Sequence, residues 1–486
     1  SGTSLAIRKE QESKRLADIE LSWNETFHSD LISRRLASPS GDKVEAKFAL
    51  LTLLYSRSPA ELFRKTAESV LSQTLPFSEW IILENGPIPD DTRQILEELI
   101  ASDSRIRAYK SEALGIVGGL RYCIERATAD FIIPMDADDL LTVDALELMA
   151  EALNAADKPS FVFSDEDIQY DDRLDDHLRR ADFDPVLNRA DSYVWHACAF
   201  RRDRALALDV YCDKGAEFCH DWDSVTRFAD AGDRIAHIPH VLYHWRAHAT
   251  SSSNSGSVNI GSINSVKHVL QRSIDSQPNP NLYAVDVFPI DRGAEQYGIL
   301  RLPHDPLSIA GIKVGKANLD AEAAESKDSV IRWQVRFDTN AGCAELVSAI
   351  NALTEPYVLW IDDRYQLSDA AAWEAMRIFE MHPDVALVSG RVLSSSNRVI
   401  ACCEPQANLW SGRGMRRDDP GPFALALKPQ TAVRVPNHFF FCRTELLQSV
   451  LADSYRGAVV ADLVANEVRK RRLRIAYSPL IEASSS

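Results

Sequence analysis

Phe131-Ile132-Ile133-Pro134-Met135-Asp136-Ala137-Asp138-Asp139-Leu140-Leu141 is an apolar run of strand type that ends abruptly in three carboxylates. A helical pattern follows, from Val143 to Met149. In a doubly wound α/β sheet, ligands collect where strands end at their carboxyl edge. Asp136 and Asp138 are two apart in an extended segment, so their side chains leave on the same side of the chain. Two hard oxygen ligands aimed into a crevice suit Mg²⁺ or Mn²⁺ bridging a diphosphate. A plainer reading has Asp138 or Asp139 simply starting the next helix, since Asp is favoured at N-caps.

The flanking sequence supplies the rest of such a sheet. Phe48 to Tyr55 is a continuous apolar run of the kind buried on both faces among parallel strands. Ser58-Pro59 opens a helix whose Leu62, Ala67, Val70 and Leu71 share one face. Trp80 to Leu83 is a second strand, closed by the turn cluster Glu84-Asn85-Gly86-Pro87. A helix from Asp91 to Ile100, a short strand Ile106–Tyr109, and Gly115-Ile116-Val117-Gly118-Gly119 leading into a helix from Leu120 to Ala127 complete the approach. This β-α-β-α-β order predicts a doubly wound sheet with right-handed crossovers.

Composition narrows the function. With 486 residues, length sets a prior of two to three domains. A formal net charge of −17 argues against a broad nucleic-acid surface, which needs clustered Lys and Arg. The eight cysteines form no CxxC pair and read as reduced thiols, the expectation for a cytoplasmic protein. No apolar run reaches the roughly 18 residues of a membrane helix, and no signal-peptide pattern is visible. Any tie to a membrane is therefore expected to be peripheral, at its inner face, or to lie outside this chain.

Taken together, Leu-Thr-x-x-Tyr (from Leu51), Glu68-Ser69-Val70-Leu71-Ser72-Gln73-Thr74, Ile82-Leu83-Glu84-Asn85-Gly86, Gly115-Ile116-x-Gly118-Gly119 and Asp136-Ala137-Asp138-Asp139 resemble glycosyltransferase family 2. The resemblance implies a GT-A fold and transfer of a sugar from a nucleotide donor, usually with inversion. Thr52, Tyr55, Glu84, Gly118, Arg121, Asp136 and Asp138 are then expected at the nucleotide sugar, with Glu84 where the family commonly has an Asp. Downstream, Ser164-Asp165-Glu166-Asp167, Ser192-Tyr193-Val194-Trp195-His196 and Phe200-Arg201-Arg202 resemble the polysaccharide and O-antigen type, rhamnan-synthesis-like enzymes among them. By that likeness Asp165, Glu166, Asp167, His196 and Trp222 are expected to contact the acceptor; the alternative for the acidic run is a solvated loop.

His220-Asp221-Trp222-Asp223 opens a further helix. The resemblance makes Asp221 the carboxylate that takes the proton from the acceptor hydroxyl, which is a poor nucleophile until a base accepts that proton. Otherwise Asp221 or Asp223 is an ordinary helix-start residue. The stretch from His237 to Arg246 resembles the family's closing signature His-Ile-Pro-x-Val-Leu-Tyr-His-x-Arg. There His244 is expected as a third metal ligand or in touch with the diphosphate, Arg246 is expected to neutralise charge beside it, and His237, His240 and His248 are expected in packing or surface roles.

The expected organisation is a helical arm at 1–45, a GT-A glycosyltransferase domain at 46–280, and a second, degenerate GT-A-like α/β domain at 281–486. Thr250 to Ser257 is the most linker-like stretch. In the second copy Asp362-Asp363-Arg364 replaces a clean Asp-x-Asp, and an Arg beside the metal position would compete with a cation. Arg469-Lys470-Arg471-Arg472 reads as a solvated helix face, with lipid headgroups as the alternative. The expected cofactors are a divalent cation and a UDP-, dTDP- or GDP-sugar. The acceptor is expected to be a glycan or lipid-linked glycan, with partner glycosyltransferases and no nucleic acid. The rivals are a non-catalytic sugar- or nucleotide-binding scaffold and, third, a nucleotidyltransferase, whose Gly-rich basic loop is missing at Tyr55–Pro59.

Overall fold

The computed structural model describes residues 45–170, 173–248, 260–287, 297–303, 309–315, 331–338, 343–406, 412–454 and 459–485. The predicted N-terminal arm and the Ser/Thr-rich linker lie outside these residues. The chain forms two compact units. One runs to Phe183 and resumes from Ser192 to Val269; the other comprises Asp184–Asp191 and the chain from Leu270.

In the first unit the elements are β1 (Phe48–Leu54), α1 (Ala60–Leu71), β2 (Glu79–Asn85), α2 (Asp90–Ser102), β3 (Ile106–Ser111), α3 (Gly115–Arg126), β4 (Phe131–Pro134), β5 (Leu140–Leu141), α4 (Ala145–Leu153), β6 (Phe161–Tyr170), β7 (Arg173–Leu178), β8 (Cys198–Arg201), α5 (His220–Asp230) and β9 (Ile235–Ala247). The sheet order is β3-β2-β1-β4-β8-β6-β9-β5, with β7 on β6. β3, β2, β1 and β4 are mutually parallel, and β8 then runs antiparallel to both β4 and β6. The all-apolar reading of Phe48–Leu54 and Trp80–Leu83 is explained by burial: Phe48, Leu50, Leu51, Trp80, Ile81 and Ile82 are all sealed between helices. This is the doubly wound α/β unit expected.

Two local expectations change. Gly115 to Gly119 is the first turn of α3, not a lead-in to a helix from Leu120. Neither Asp138 nor Asp139 caps a helix; α4 starts at Ala145 with Asp144 before it. Both aspartates stay on the connection beyond the strand end.

The second unit is also α/β. It contains β10 (Tyr283–Val287), β11 (Tyr297–Arg301), β12 (Ile309–Gly315), β13 (Ile331–Asp338), α6 (Cys343–Asn351), β14 (Tyr357–Asp362), β15 (Tyr365–Leu367), α7 (Asp369–Met381), β16 (Val385–Leu393), β17 (Val399–Cys402), β18 (Glu404–Pro405), β19 (Gln430–Arg434), β20 (Phe439–Arg443), α8 (Thr444–Ser454), α9 (Val460–Lys470) and β21 (Arg474–Ser485). Its main sheet runs β13-β12-β14-β20-β16-β21-β19-β18, with β15 on β21 and β17 on β16. Residues 184–191 join this unit because the Asp184 carboxylate takes the Thr431 N–H at 2.6 Å and the Thr431 hydroxyl at 2.7 Å.

Arg469 to Arg472 sit at the end of α9, where cations complement the helix carbonyls. Arg471 and Lys470 pair with Glu467, and Arg469 reaches the Val433 carbonyl, as on a solvated helix face. Among the described side chains the cysteines are free, and no described helix is long and apolar enough to cross a membrane.

Candidate functional site

The carboxyl edge of the first sheet gathers Asp136, Asp138 and Asp139. Helix α1 builds the floor. Thr66 donates to the carbonyls of Ala137 and Asp139, at 3.0 and 2.8 Å. Gln73 donates to the Thr142 carbonyl and accepts the Leu146 N–H. These two side chains hold the 137–146 connection on the helix, a job for Gln73 that the Glu68–Thr74 motif alone did not disclose.

Asp139 points inward and is buried. It accepts the Tyr243 hydroxyl at 2.8 Å and the Arg246 N–H at 2.8 Å. Burial and the neighbouring Asp136 push its carboxyl up to about 8. Asp136 faces outward with 62 % of its side chain open to solvent. Desolvation and repulsion from Asp138 and Asp221 raise its carboxyl; at that exposure the repulsion is the cause the geometry sustains. Asp221 lies in the first turn of α5. The His220 imidazole Nε2 stands 3.3 Å from its carboxylate. Tyr55 stands at the same edge, and burial followed by the charges of Asp138 and Asp136 raises its hydroxyl.

His196 occupies the centre. Its ring stacks on Tyr243 at 5.0 Å and 4°, with Nδ1 3.2 Å from Glu166 and Nε2 3.6 Å from Asp136. Burial by itself would lower its pKa, but Glu166 and Asp136 outweigh it and hold the imidazole up at about 10. Burial would likewise raise Glu166, yet Arg180 at 2.8 Å and His196 keep it below the ordinary range. A pH dependence follows. His196 is raised above its unfolded value near 6.5, so its stabilisation is complete below that pH and is lost as pH climbs through about 10. Asp139, raised to about 8, acts with the same sign, since its protonated form is the one the fold favours. Urea melts from pH 6 to 10 in chelator are expected to show falling stability, with a shallower slope in His196→Gln.

Several expected site residues are engaged with internal partners. Thr52 is buried and accepts the Trp80 indole N–H at 2.9 Å, so its hydroxyl does not face a donor. Arg121 pairs with Glu125 at 2.7 Å and reaches the Val210 carbonyl, bracing α3. Gly118 lies within α3, and a Cβ there would come 3.1 Å from that of Leu114. Glu84 is held by Arg93 at 2.5 Å and Lys110 at 3.5 Å at the end of β2. Trp222 is 4 % exposed, on the face of α5 turned inward from Asp221, and is a core residue.

The acidic run of β6 is neither a solvated loop nor an open acceptor surface. A bulge between Ser164 and Glu166 re-aims successive side chains, and each acid finds its own partner. Asp165 meets His237 at 2.9 Å, Glu166 meets Arg180 and His196, and Asp167 meets His244 at 2.6 Å. His244 is therefore turned to Asp167, whereas His248 reaches Asp138 at 2.9 Å. The Arg246 guanidinium turns inward to the Leu62 carbonyl and the Thr66 hydroxyl.

Glu217 is a further residue the sequence reading missed. Its carboxylate accepts the N–H groups of Ile116 and Val117 at the start of α3, tying the loop before α5 to that helix. Gly115 has φ +76°, and a Cβ there would collide with a Glu217 oxygen, so only glycine fits.

Which of these groups suit a divalent cation can be decided on their chemistry. Ligand atoms of Asp136, Asp139 and His196 lie within 4.8 Å of one another. That set is poor: both Asp139 oxygens are engaged, and a protonated imidazole has no lone pair to give. Asp138 with His248, flanked by the exposed Asp136, offers the hard carboxylate and imidazole donors such an ion accepts.

The family model for glycosyl transferase family 2 matches residues 52–208. The chain is 31 % identical over 208 residues to "Uncharacterized protein y4gI" of Sinorhizobium fredii, covering 42 % of this chain and 22 % of that protein. It is 28 % identical over 214 residues to O-antigen biosynthesis protein RfbC of Myxococcus xanthus, 43 % of this chain and 16 % of that one. It is 23 % identical over 209 residues to amylovoran biosynthesis glycosyltransferase AmsE of Erwinia amylovora, 41 % of this chain and 76 % of that one. The chain thus spans about a fifth of the length of the first two relatives. The matched span runs from the end of β1 through β8 and includes the Asp136–Asp138 edge. Over residues 52–208, this chain is similar to glycosyl transferase family 2.

Proposed function

We propose that the first unit transfers a sugar from a nucleotide-sugar donor to a hydroxyl of a growing cell-surface glycan, by single displacement with inversion. The observation that carries this is the acidic edge beyond β4, where the exposed Asp136 stands 3.6 Å from His196 and Asp138 stands 2.9 Å from His248. The polysaccharide context is supported by the relatives named for O-antigen and amylovoran biosynthesis.

In this reading Asp138 and His248 hold a divalent cation, Mn²⁺ or Mg²⁺, with Asp136 beside them. When bound, such an ion neutralises charge on a diphosphate leaving group. Tyr55 borders the donor, and Glu84, oriented by Arg93 and Lys110, faces the ribose or base. Asp221 accepts the proton of the acceptor hydroxyl as that oxygen attacks the anomeric carbon and the bond from that carbon to the phosphate oxygen breaks. Holding donor and acceptor in line supplies much of the remaining acceleration. UDP, dTDP and GDP are all compatible with these residues, as are lipid-linked acceptors at the inner face of a membrane.

Calorimetric titration of UDP, GDP and dTDP, with and without Mn²⁺, tests the cation assignment. One nucleotide is expected to bind more tightly with Mn²⁺ by about tenfold or more. Asp138→Ala and His248→Ala are expected to abolish that gain, and His244→Ala to leave it. Equal affinity with and without the ion for every nucleotide would overturn the assignment.

A further inference from the structure

The two units repeat one another in strand register, which permits residue-by-residue comparison. In the first, β4 pairs antiparallel with β8 through Phe131–Arg201 and Ile132–Phe200. In the second, β14 pairs antiparallel with β20 through Tyr357–Arg443 and Val358–Cys442. The strand after the acidic edge gives a second anchor: Leu140–His244 and Leu141–Tyr243 in the first, Gln366–Ser484 and Leu367–Ala483 in the second. Both anchors give the same alignment, so no insertion falls between them. Asp362 therefore stands where Asp136 stands, Arg364 where Asp138 stands, and His438 where His196 stands.

At the second edge the geometry differs in kind. The Arg364 guanidinium forks onto Asp362, with Nε 2.8 Å from one carboxylate oxygen and Nη2 2.5 Å from the other. The Arg364 N–H adds a third bond to the same carboxylate, at 3.0 Å. Such a fork satisfies a carboxylate with a fixed cation. Asp363 folds back over the end of β12, where a Cβ on Gly315 would overlap its carboxylate. The first unit has Asp138 against His248, and nothing equivalent to the guanidinium.

We propose that the Arg364 guanidinium occupies the role of the divalent cation at the second edge, so that the second unit binds no divalent ion and a single substitution reopens the site. The comparison with Asp138 rests on the reading of Asp138 as a cation ligand. The pair Asp362–Arg364 is complete in itself, which removes the electrostatic demand for an ion. With Arg364 changed to Asp, the edge presents two carboxylates, at positions 362 and 364, two apart on an extended segment, the spacing of the first unit.

Mn²⁺ binding to the full chain, followed by the electron paramagnetic resonance of the free ion, tests this. Asp138→Ala/His248→Ala, which disables the first edge, is expected to bind no Mn²⁺. Adding Arg364→Asp to that background is expected to restore about one ion per chain in the millimolar range, lost again when Asp362→Asn is included. Arg364→Gln in the same background is expected to gain none. An ion bound by Asp138→Ala/His248→Ala and lost on Asp362→Asn would overturn the proposal, as would a folded Arg364→Asp variant that gains no ion. The first of these needs no change at residue 364, so it stands even if Arg364→Asp fails to fold. A native chain binding no Mn²⁺ would count against Asp138 as ligand, whereas the gain on Arg364→Asp reads the second edge alone.

Discussion

Asp221→Asn is expected to lower the rate of sugar transfer by about 10²–10⁴-fold, the usual weight of a positioned general base. Asparagine keeps the size and the hydrogen-bonding oxygen but cannot take a proton at neutral pH. The side chain lies in the first turn of α5, partly open, with the His220 imidazole 3.3 Å away. The fold has little to lose by the change, because the inward contacts of that turn belong to the buried Trp222 and Asp223. Single-turnover transfer at saturating donor separates the effect from binding: nucleotide affinity stays at the native value while the transfer step slows. Native-like transfer by Asp221→Asn would remove Asp221 from the role of base.

The second large effect is on stability. Glu166→Ala is expected to cost about 3–5 kcal/mol, the usual consequence of removing one partner from a buried ion pair. Glu166 is fully buried and is the shared anion of Arg180 and His196, and the Arg180 side chain is itself only 6 % exposed. Alanine leaves a guanidinium and an imidazolium without their carboxylate in a site that water reaches poorly. Glu166→Gln keeps an acceptor for one of them and is expected to cost less. Urea unfolding of the native and variant chains, followed through the first transition, measures both. A cost within about 0.5 kcal/mol, the range of an ordinary surface substitution, would show that the two cations find other partners.

Much of the architecture could be read directly from the chain, for a physical reason. Phe48–Leu54 and Trp80–Leu83 are apolar throughout because parallel central strands are covered on both faces, and that leaves an unmistakable local pattern. The acidic edge was equally legible, since an apolar run breaking into Asp136 and Asp138 is a local event. What stayed hidden depends on pairing between distant segments. Which histidine reaches Asp138 is decided by the register of β9 against β5 and β6, where Leu140 faces His244 and Asp167 also faces His244. A shift of one residue in that register would exchange the outcome. The burial of Thr52 is likewise set by Trp80 on the neighbouring strand, and the separate partners of Asp165, Glu166 and Asp167 by a bulge that no spacing announces. Residues 184–191 join the second unit through Thr431, a partner nearly 250 residues away, and no local signal in Asp182–Pro185 encodes it.

The most direct test of the account is nucleoside diphosphate release from a panel of UDP-, GDP- and dTDP-sugars by the purified chain. The panel is run with Mn²⁺ and a glycan acceptor, alongside Asp136→Ala and Asp138→Ala. The account predicts release from one donor class, dependent on the ion and reduced by about 10²-fold or more in Asp138→Ala. Ion-independent release that both variants retain at the native rate would contradict it.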